Sequence, residues 1–143
     1  MPMAAVEQAA KRPRRGVNRD SAFFAEGLKE GKILIQRCKA CGVLRHPPRP
    51  MCSACNSFDW DTIQASGRGT VYSYTTIHHG PMPNLPHPLV AVLVAMEEGI
   101  RMVGDLVDAD KSPPPAIGQA VRAEILADPG DDMLLVRWRI QEK

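Results

Sequence analysis

Cys38-Lys39-Ala40-Cys41 and Cys52-Ser53-Ala54-Cys55 hold the only four cysteines of the chain, in two Cys-x-x-Cys pairs separated by ten residues. Two thiolates spaced this way reach one cation from a tight knuckle. A second pair after a short loop completes the four sulfurs of a closed tetrahedral zinc site. The pattern therefore predicts a rubredoxin-like zinc ribbon with one structural Zn2+. Turn-forming residues follow each pair, Gly42 after the first and Asn56 and Ser57 after the second, where left-handed or tight backbone is needed. Two disulfides or a thioredoxin-like redox pair are the competing readings; against them, the Met-Pro start carries no apolar segment of a secretory leader. Iron in the same sulfur cage is the alternative metal. Four thiolates leave no open coordination position, so the metal is expected to hold structure and not to activate water.

Upstream of the ribbon, residues 1–17 combine Ala, Gln and Pro with Lys11, Arg12, Arg14 and Arg15 and lack apolar periodicity. That is the composition of a flexible basic arm. From Asn18 the character changes. Asn18 or Asp20 is placed to cap a short helix whose apolar side is Phe23, Phe24 and Leu28, and Gly31 is placed to end it. Lys32 to Arg37 and Val43 to His46 read as strands entering and leaving the first knuckle, and Pro47, Pro48 and Pro50 stop that pairing.

Downstream, Phe58 to Ala65 reads as a strand crossing to a second module, with the glycines of Ser66-Gly67-Arg68-Gly69 permitting a bend or bulge. Thr70 to His78 is rich in β-branched and aromatic residues, and Leu89 to Met96 is nearly continuous aliphatic. Ile100 to Val107 follows the turn Glu97-Glu98-Gly99. Val121 to Leu126 and Met133 to Ile140 flank the turn at residues 128–132. The fold class is thus mainly β: an N-terminal helix, a zinc ribbon, and a C-terminal five-stranded OB-fold barrel, whose closure removes exposed strand edges. The expected organisation is an arm at 1–17, helix and ribbon at 18–66, and barrel at 67–143, with a second small core in the barrel.

The 143 residues carry a net charge of +2. No apolar run approaches the ~20 residues of a membrane helix, so a soluble, and given its thiolates cytoplasmic, protein is expected. Catalytic signals are weak. His78 and His79 are adjacent, so on a strand they point to opposite faces; either is a base only in a third-ranked enzyme reading. His46 and His87 lie beside prolines and read as loop residues. Asp105, Asp108 and Asp110 read as solvated residues ahead of a cation site. Nucleic acid is the rival ligand class, because ribbons and OB-folds commonly bind it. Yet aromatics are only 5% of the chain, too few for an array of stacking platforms. Trp138, between Arg137 and Arg139, reads as packing.

The ordered set Phe23-Phe24-x3-Leu28-Lys29-Glu30-Gly31-Lys32, Arg37-Cys38-x2-Cys41-Gly42, Pro47-Pro48-Arg49-x2-Cys52-x2-Cys55, Ser66-Gly67-Arg68-Gly69-Thr70-Val71-Tyr72-Ser73 and Ile117-Gly118-Gln119-x-Val121 resembles one family. This is the acyl-CoA-associated zinc-ribbon/OB-fold proteins, long known as domain of unknown function 35. The resemblance implies an accessory subunit without its own active site. Its partner would be a thiolase-like enzyme, such as a thiolase, a steroid side-chain retro-aldolase or an acyltransferase, or else a MaoC-type enoyl-CoA hydratase. By analogy the complex would be two plus two. Helix and ribbon would dock on the enzyme while the barrel borders the acyl-CoA channel. In that picture Phe23, Phe24, Leu28 and the loop Met82 to Pro86 form an interface patch, or else simply cover the ribbon. Arg45, Arg49, Arg68 and Arg12 to Arg15 reach CoA phosphates or remain solvated. Tyr72 and Tyr74, on one strand face, line the channel or fill the barrel, the latter being the safer expectation. The segment His78-His79-Gly80-Pro81 opens a long proline-rich loop that departs from the family pattern.

Overall fold

The computed structural model describes residues 12–78 and 88–141. The expectations for His79, His87, the loop Met82 to Pro86 and residues 1–11 lie outside them. Helix α1 spans Ala22–Lys29. Asn18 organises its approach: Oδ1 accepts from the backbone N–H groups of Asp20 and Ser21 at 2.9 and 3.1 Å, although the capping position itself is Ser21. At the other end Gly31 adopts φ 76°. The N–H groups of Lys32 and Gly31 donate back to Gly27 and Leu28 at 2.8 and 3.0 Å, closing the last turn as a Schellman motif. Leu28 is buried, and a side chain on Gly27 would meet Leu34 at 2.9 Å. The helix therefore lies directly on the strand that follows.

That strand, β1 (Leu34–Cys38), is flanked by β2 (Leu44–Arg45) and β3 (Trp60–Gln64) in the order β2-β1-β3, all antiparallel. Here one expectation is corrected: β3 does not cross to the second module but completes the ribbon sheet. It pairs Ile63 with Ile35 and Trp60 with Cys38. The ladder extends past it through the Ala65 N–H to Ile33 carbonyl bond of 2.8 Å.

Strands β4 (Arg68–Ile77), β5 (Leu89–Met96), β6 (Arg101–Asp105), β7 (Ala120–Leu126) and β8 (Leu135–Ile140) form one antiparallel sheet in the order β6-β5-β4-β7-β8. The sheet curls until its two edge strands meet. Leu106 bridges Trp138 in parallel, and the Val107 N–H donates to the Trp138 carbonyl at 2.8 Å. Gly104 permits that approach, since a Cβ there would lie 2.7 Å from the Val136 carbonyl and 2.8 Å from the Trp138 ring. This is the OB-fold half-barrel. Trp138 fills it, fully buried, as a packing residue.

Two further expectations change. A separate second core is not what forms: Leu28, Ile33, Ile35 and Ala65 belong to one apolar cluster with Val71, Val92, Val94, Met102 and Trp138. The chain is too short to close two interiors as cheaply as one. Nor do residues 12–17 hang free as an arm. Arg12 pairs with Asp128 and, at 3.1 Å, with Asp105, which Arg137 also contacts at 2.9 Å. Arg14 pairs with Asp131 and Asp132, and Arg15 donates to the Leu134 carbonyl at 3.3 Å. The acidic turn between β7 and β8 captures the basic segment.

Candidate metal centre

Each Cys-x-x-Cys pair sits on a knuckle, and the two knuckles repeat one another. The Cys38 N–H donates to the Val43 carbonyl at 3.0 Å and the Gly42 N–H to the Cys38 carbonyl at 2.9 Å. In the second knuckle Cys52 N–H donates to Ser57 and Asn56 N–H to Cys52, both at 2.9 Å. Gly42 (φ 76°) and Asn56 (φ 63°) occupy the same left-handed position in each, which is why the sequence carries those residue types there. The four Sγ atoms lie within 4.8 Å of one another. Cys38 to Cys55 and Cys41 to Cys52 are each 3.6 Å apart. A tetrahedron with Zn–S bonds of about 2.3 Å has edges of about 3.8 Å, so the cluster fits one Zn2+.

The four thiols perturb one another's protonation. The Cys38 thiol is lowered to about 6 by the backbone N–H of Cys41, with that of Ala40 adding to it. Cys52 is lowered by the equivalent N–H groups of Cys55 and Ala54. Cys55 is pushed up to about 12: the Ser57 N–H draws it down, but the Cys38 sulfur, burial and the other two sulfurs outweigh it. Cys41 is raised in the same way, burial and Cys52 overcoming the Val43 N–H. Four negative sulfurs at this spacing need a cation to coexist, and a divalent ion supplies it. Cys38, Cys41, Cys52 and Cys55 would hold that metal, which when bound supplies a structural crosslink between the knuckles.

The remaining candidates are not gathered into one site. Leu28 is 1% exposed and Phe23 and Phe24 are half-buried, Phe23 against Trp60 at 4.9 Å and Phe24 against the His46 ring at 5.5 Å. Their apolar side packs against this chain's own ribbon, and Leu28 is buried away from any partner. Burial lowers the His46 pKa.

Arg45 corrects another expectation, being only 7% exposed. Its Nε donates to Gln36 Oε1 at 3.1 Å and to the Arg49 carbonyl at 3.0 Å, while the Arg49 N–H donates to the same Gln36 oxygen at 2.9 Å. Arg45 pins the proline-rich turn to β1 and does not face solvent phosphate. Gln36, which organises this, carries no sequence signal beyond its place in a buried strand. Arg49 is exposed. Arg68 is held by Glu97 at 2.9 Å, and His78 is exposed.

Tyr72 and Tyr74 do not fill the barrel, being 48% and 38% exposed. Nor do they share a face: a bulge between Val71 and Ser73 inserts Tyr72 as an extra residue. Tyr72 then carries the Arg101 guanidinium over its ring at 3.8 Å, whereas Tyr74 stands opposite the buried Val92. Among the described residues, no helix is long and apolar enough to cross a membrane.

Ribbon and half-barrel together define a zinc-ribbon/OB-fold protein. The family described as ChsH2, rubredoxin-like zinc ribbon domain, matches residues 25–61, and ChsH2, C-terminal OB-fold domain, matches residues 62–126. A DUF35 domain-containing scaffold protein of Methanocaldococcus jannaschii is 36% identical over 110 residues, 73% of this chain and 77% of that protein. The chain belongs to the DUF35 family. The 3-oxo-4,17-pregnadiene-20-carboxyl-CoA hydratase alpha subunit of Mycobacterium tuberculosis is 43% identical over 126 residues, 87% of this chain and 39% of that subunit. The chain spans about a third of the length of the curated hydratase subunits it matches, 31% and 39%. Among solved structures, the one called Ltp2-ChsH2(DUF35) aldolase aligns with a TM-score of 0.78 at 45% identity, over 89% of this chain and 98% of that one.

Proposed function

We propose that this chain is a non-catalytic, cytoplasmic accessory subunit that docks on a thiolase-superfamily enzyme. The enzyme would be a thiolase or retro-aldolase acting on acyl-CoA substrates of the steroid side-chain or aromatic kind, and the half-barrel would border the acyl-CoA channel. The observation that carries this reading is the likeness to the DUF35 chain of an aldolase complex, which spans almost the whole of that chain. The four-sulfur cluster supports it chemically, because a closed site offers no position for substrate or water. Of Arg45, Arg49 and Arg68, Arg49 is the one left free for CoA phosphate, since Arg45 is internal and Arg68 is paired.

The purified, zinc-loaded chain is expected to show no thiolase, aldolase or hydratase turnover. Added to the Ltp2 aldolase, it is expected to form a stable complex and to support carbon–carbon cleavage of a steroid acyl-CoA. Turnover by the isolated chain would sink the reading. A MaoC-type hydratase is the second candidate partner, favoured by the relative named as a hydratase alpha subunit, of which this chain covers 39%. Complex formation with such a hydratase and none with an aldolase would select it.

A further inference from the structure

In an antiparallel sheet with one face on the core, strands alternate apolar and polar, and β5 breaks that rule. Val90, Val92, Val94 and Met96 are buried, yet Leu89, Ala91, Leu93 and Ala95, which face the other way, are also apolar and only half-covered. Across that outer face the register pairs Leu93 with Val103 of β6 and with Ser73 of β4, and Tyr72 is the bulged residue next to Ser73. Tyr72, Leu93 and Val103 therefore form one apolar band across three strands, with Val103 66% and Tyr72 48% exposed. A band of this kind on a folded surface marks a place where something sits.

What sits there is constrained by its chemistry. OB-folds take nucleic acid on the face of these same strands, using free aromatic rings. Here the centre is aliphatic, and the one ring present is already covered by Arg101. Arg101 enters no ion pair among the described residues, like the exposed Arg19, Arg49 and Arg122 and unlike Arg12, Arg37, Arg68, Arg137 and Arg139, but it alone of these lies over the ring of the apolar band. It leaves an unmet positive charge at the edge of the apolar band. An apolar centre with a charged rim is the composition of a protein–protein interface. We infer that this outer barrel face, centred on Tyr72, Leu93 and Val103, docks the enzyme subunit proposed above, through an apolar surface bearing a carboxylate opposite Arg101. The inference rests on that functional reading and moves the interface from the helix to the barrel.

The test is titration calorimetry of the full-length, zinc-loaded chain against purified Ltp2 aldolase, with Val103→Glu, Arg101→Glu and, on the ribbon, Phe58→Ser. Val103 is exposed, so its variant is expected to keep the zinc content, circular dichroism and melting temperature of the parent. It is expected to bind the aldolase roughly a hundredfold more weakly or not at all, Arg101→Glu to weaken binding about tenfold, and Phe58→Ser to bind as the parent does. Parent-like binding by folded Val103→Glu overturns the assignment of the face while leaving the accessory-subunit reading intact. A parent chain that binds no aldolase overturns that reading and this inference with it. If Val103→Glu instead converts a dimer of the chain to a monomer, or an oligonucleotide competes with the aldolase for the parent, the face belongs to another occupant and the inference is overturned.

Discussion

Residues 34–64 and residues 68–140 each form an antiparallel sheet, but the two sheets are held by different means. The ribbon has three strands, one of only two residues, and its far end is built from two knuckles whose four sulfurs can all be thiolates together only around a cation. The half-barrel closes on a buried tryptophan, a parallel bridge and a wall of valines. The comparison teaches where each region is fragile. The ribbon depends on a ligand it must acquire, whereas the barrel depends on packing it carries in its own sequence.

The sharpest way to break this contrast is Cys52→Ser. Three sulfurs no longer close the site, and structural zinc in such knuckles contributes on the order of 10 kcal/mol. Zinc per chain, measured by plasma mass spectrometry, is expected to fall from one to near zero. Hydrogen exchange should accelerate through residues 36–60 while the amides of β5 and β7 stay protected. Equal loss of protection in both sheets would show that the shared core makes them one cooperative unit.

Attacking the barrel gives the complementary result. Trp138→Ala is expected to destabilise by about 3–5 kcal/mol. Gly104→Ala, whose new methyl meets the Val136 carbonyl and the Trp138 ring, should cost about 1–3 kcal/mol. In both variants zinc content should remain at one per chain, read alongside the denaturant midpoint. Arg12→Gln removes a partner from Asp128 and Asp105, and about 1 kcal/mol is expected, decreasing with added salt.

The smallest effect sharpens the ribbon side. Burial holds His46 below the ordinary histidine value of about 6.5, so the unfolded chain binds more protons than the folded one just below that pH. The stability due to its neutral form is fully present above about 6.5 and is lost as pH falls toward the lowered folded value. His46→Phe, which keeps an aromatic ring against Phe24, should flatten the slope of melting temperature between pH 7 and 5.5 relative to the parent at constant zinc. Identical slopes would show that His46 does not contribute to it.

Much of this was legible in the sequence because it is local. Cysteine spacing with Gly42 and Asn56 specified the knuckles, since metal geometry and left-handed backbone act over a few residues. Gly31 marked the helix end, and the β-branched runs marked β4 to β8 within a residue or two. The bulge at Tyr72 was not legible, because it arises from how β4 satisfies β5 and β7 at once. One inserted residue sends the two tyrosines to opposite faces. Arg45 was misread for a similar reason. An arginine between a leucine and prolines looks solvated until β1 places Gln36 beneath it.

By itself, then, the sequence determined the metal, the strand inventory and the family, all of which follow from residue types at short spacing. Only the tertiary structure decided which apolar face is covered by the chain and which is left open. Coverage depends on contacts between residues far apart, such as Leu28 against the core that includes Val71, or Val103 beside Leu93 with nothing described above it. In the helix, Leu28 is spent inside the molecule while Phe23 and Phe24 stay half-exposed against the ribbon. The barrel strand that looked like core shows its second face to the surroundings.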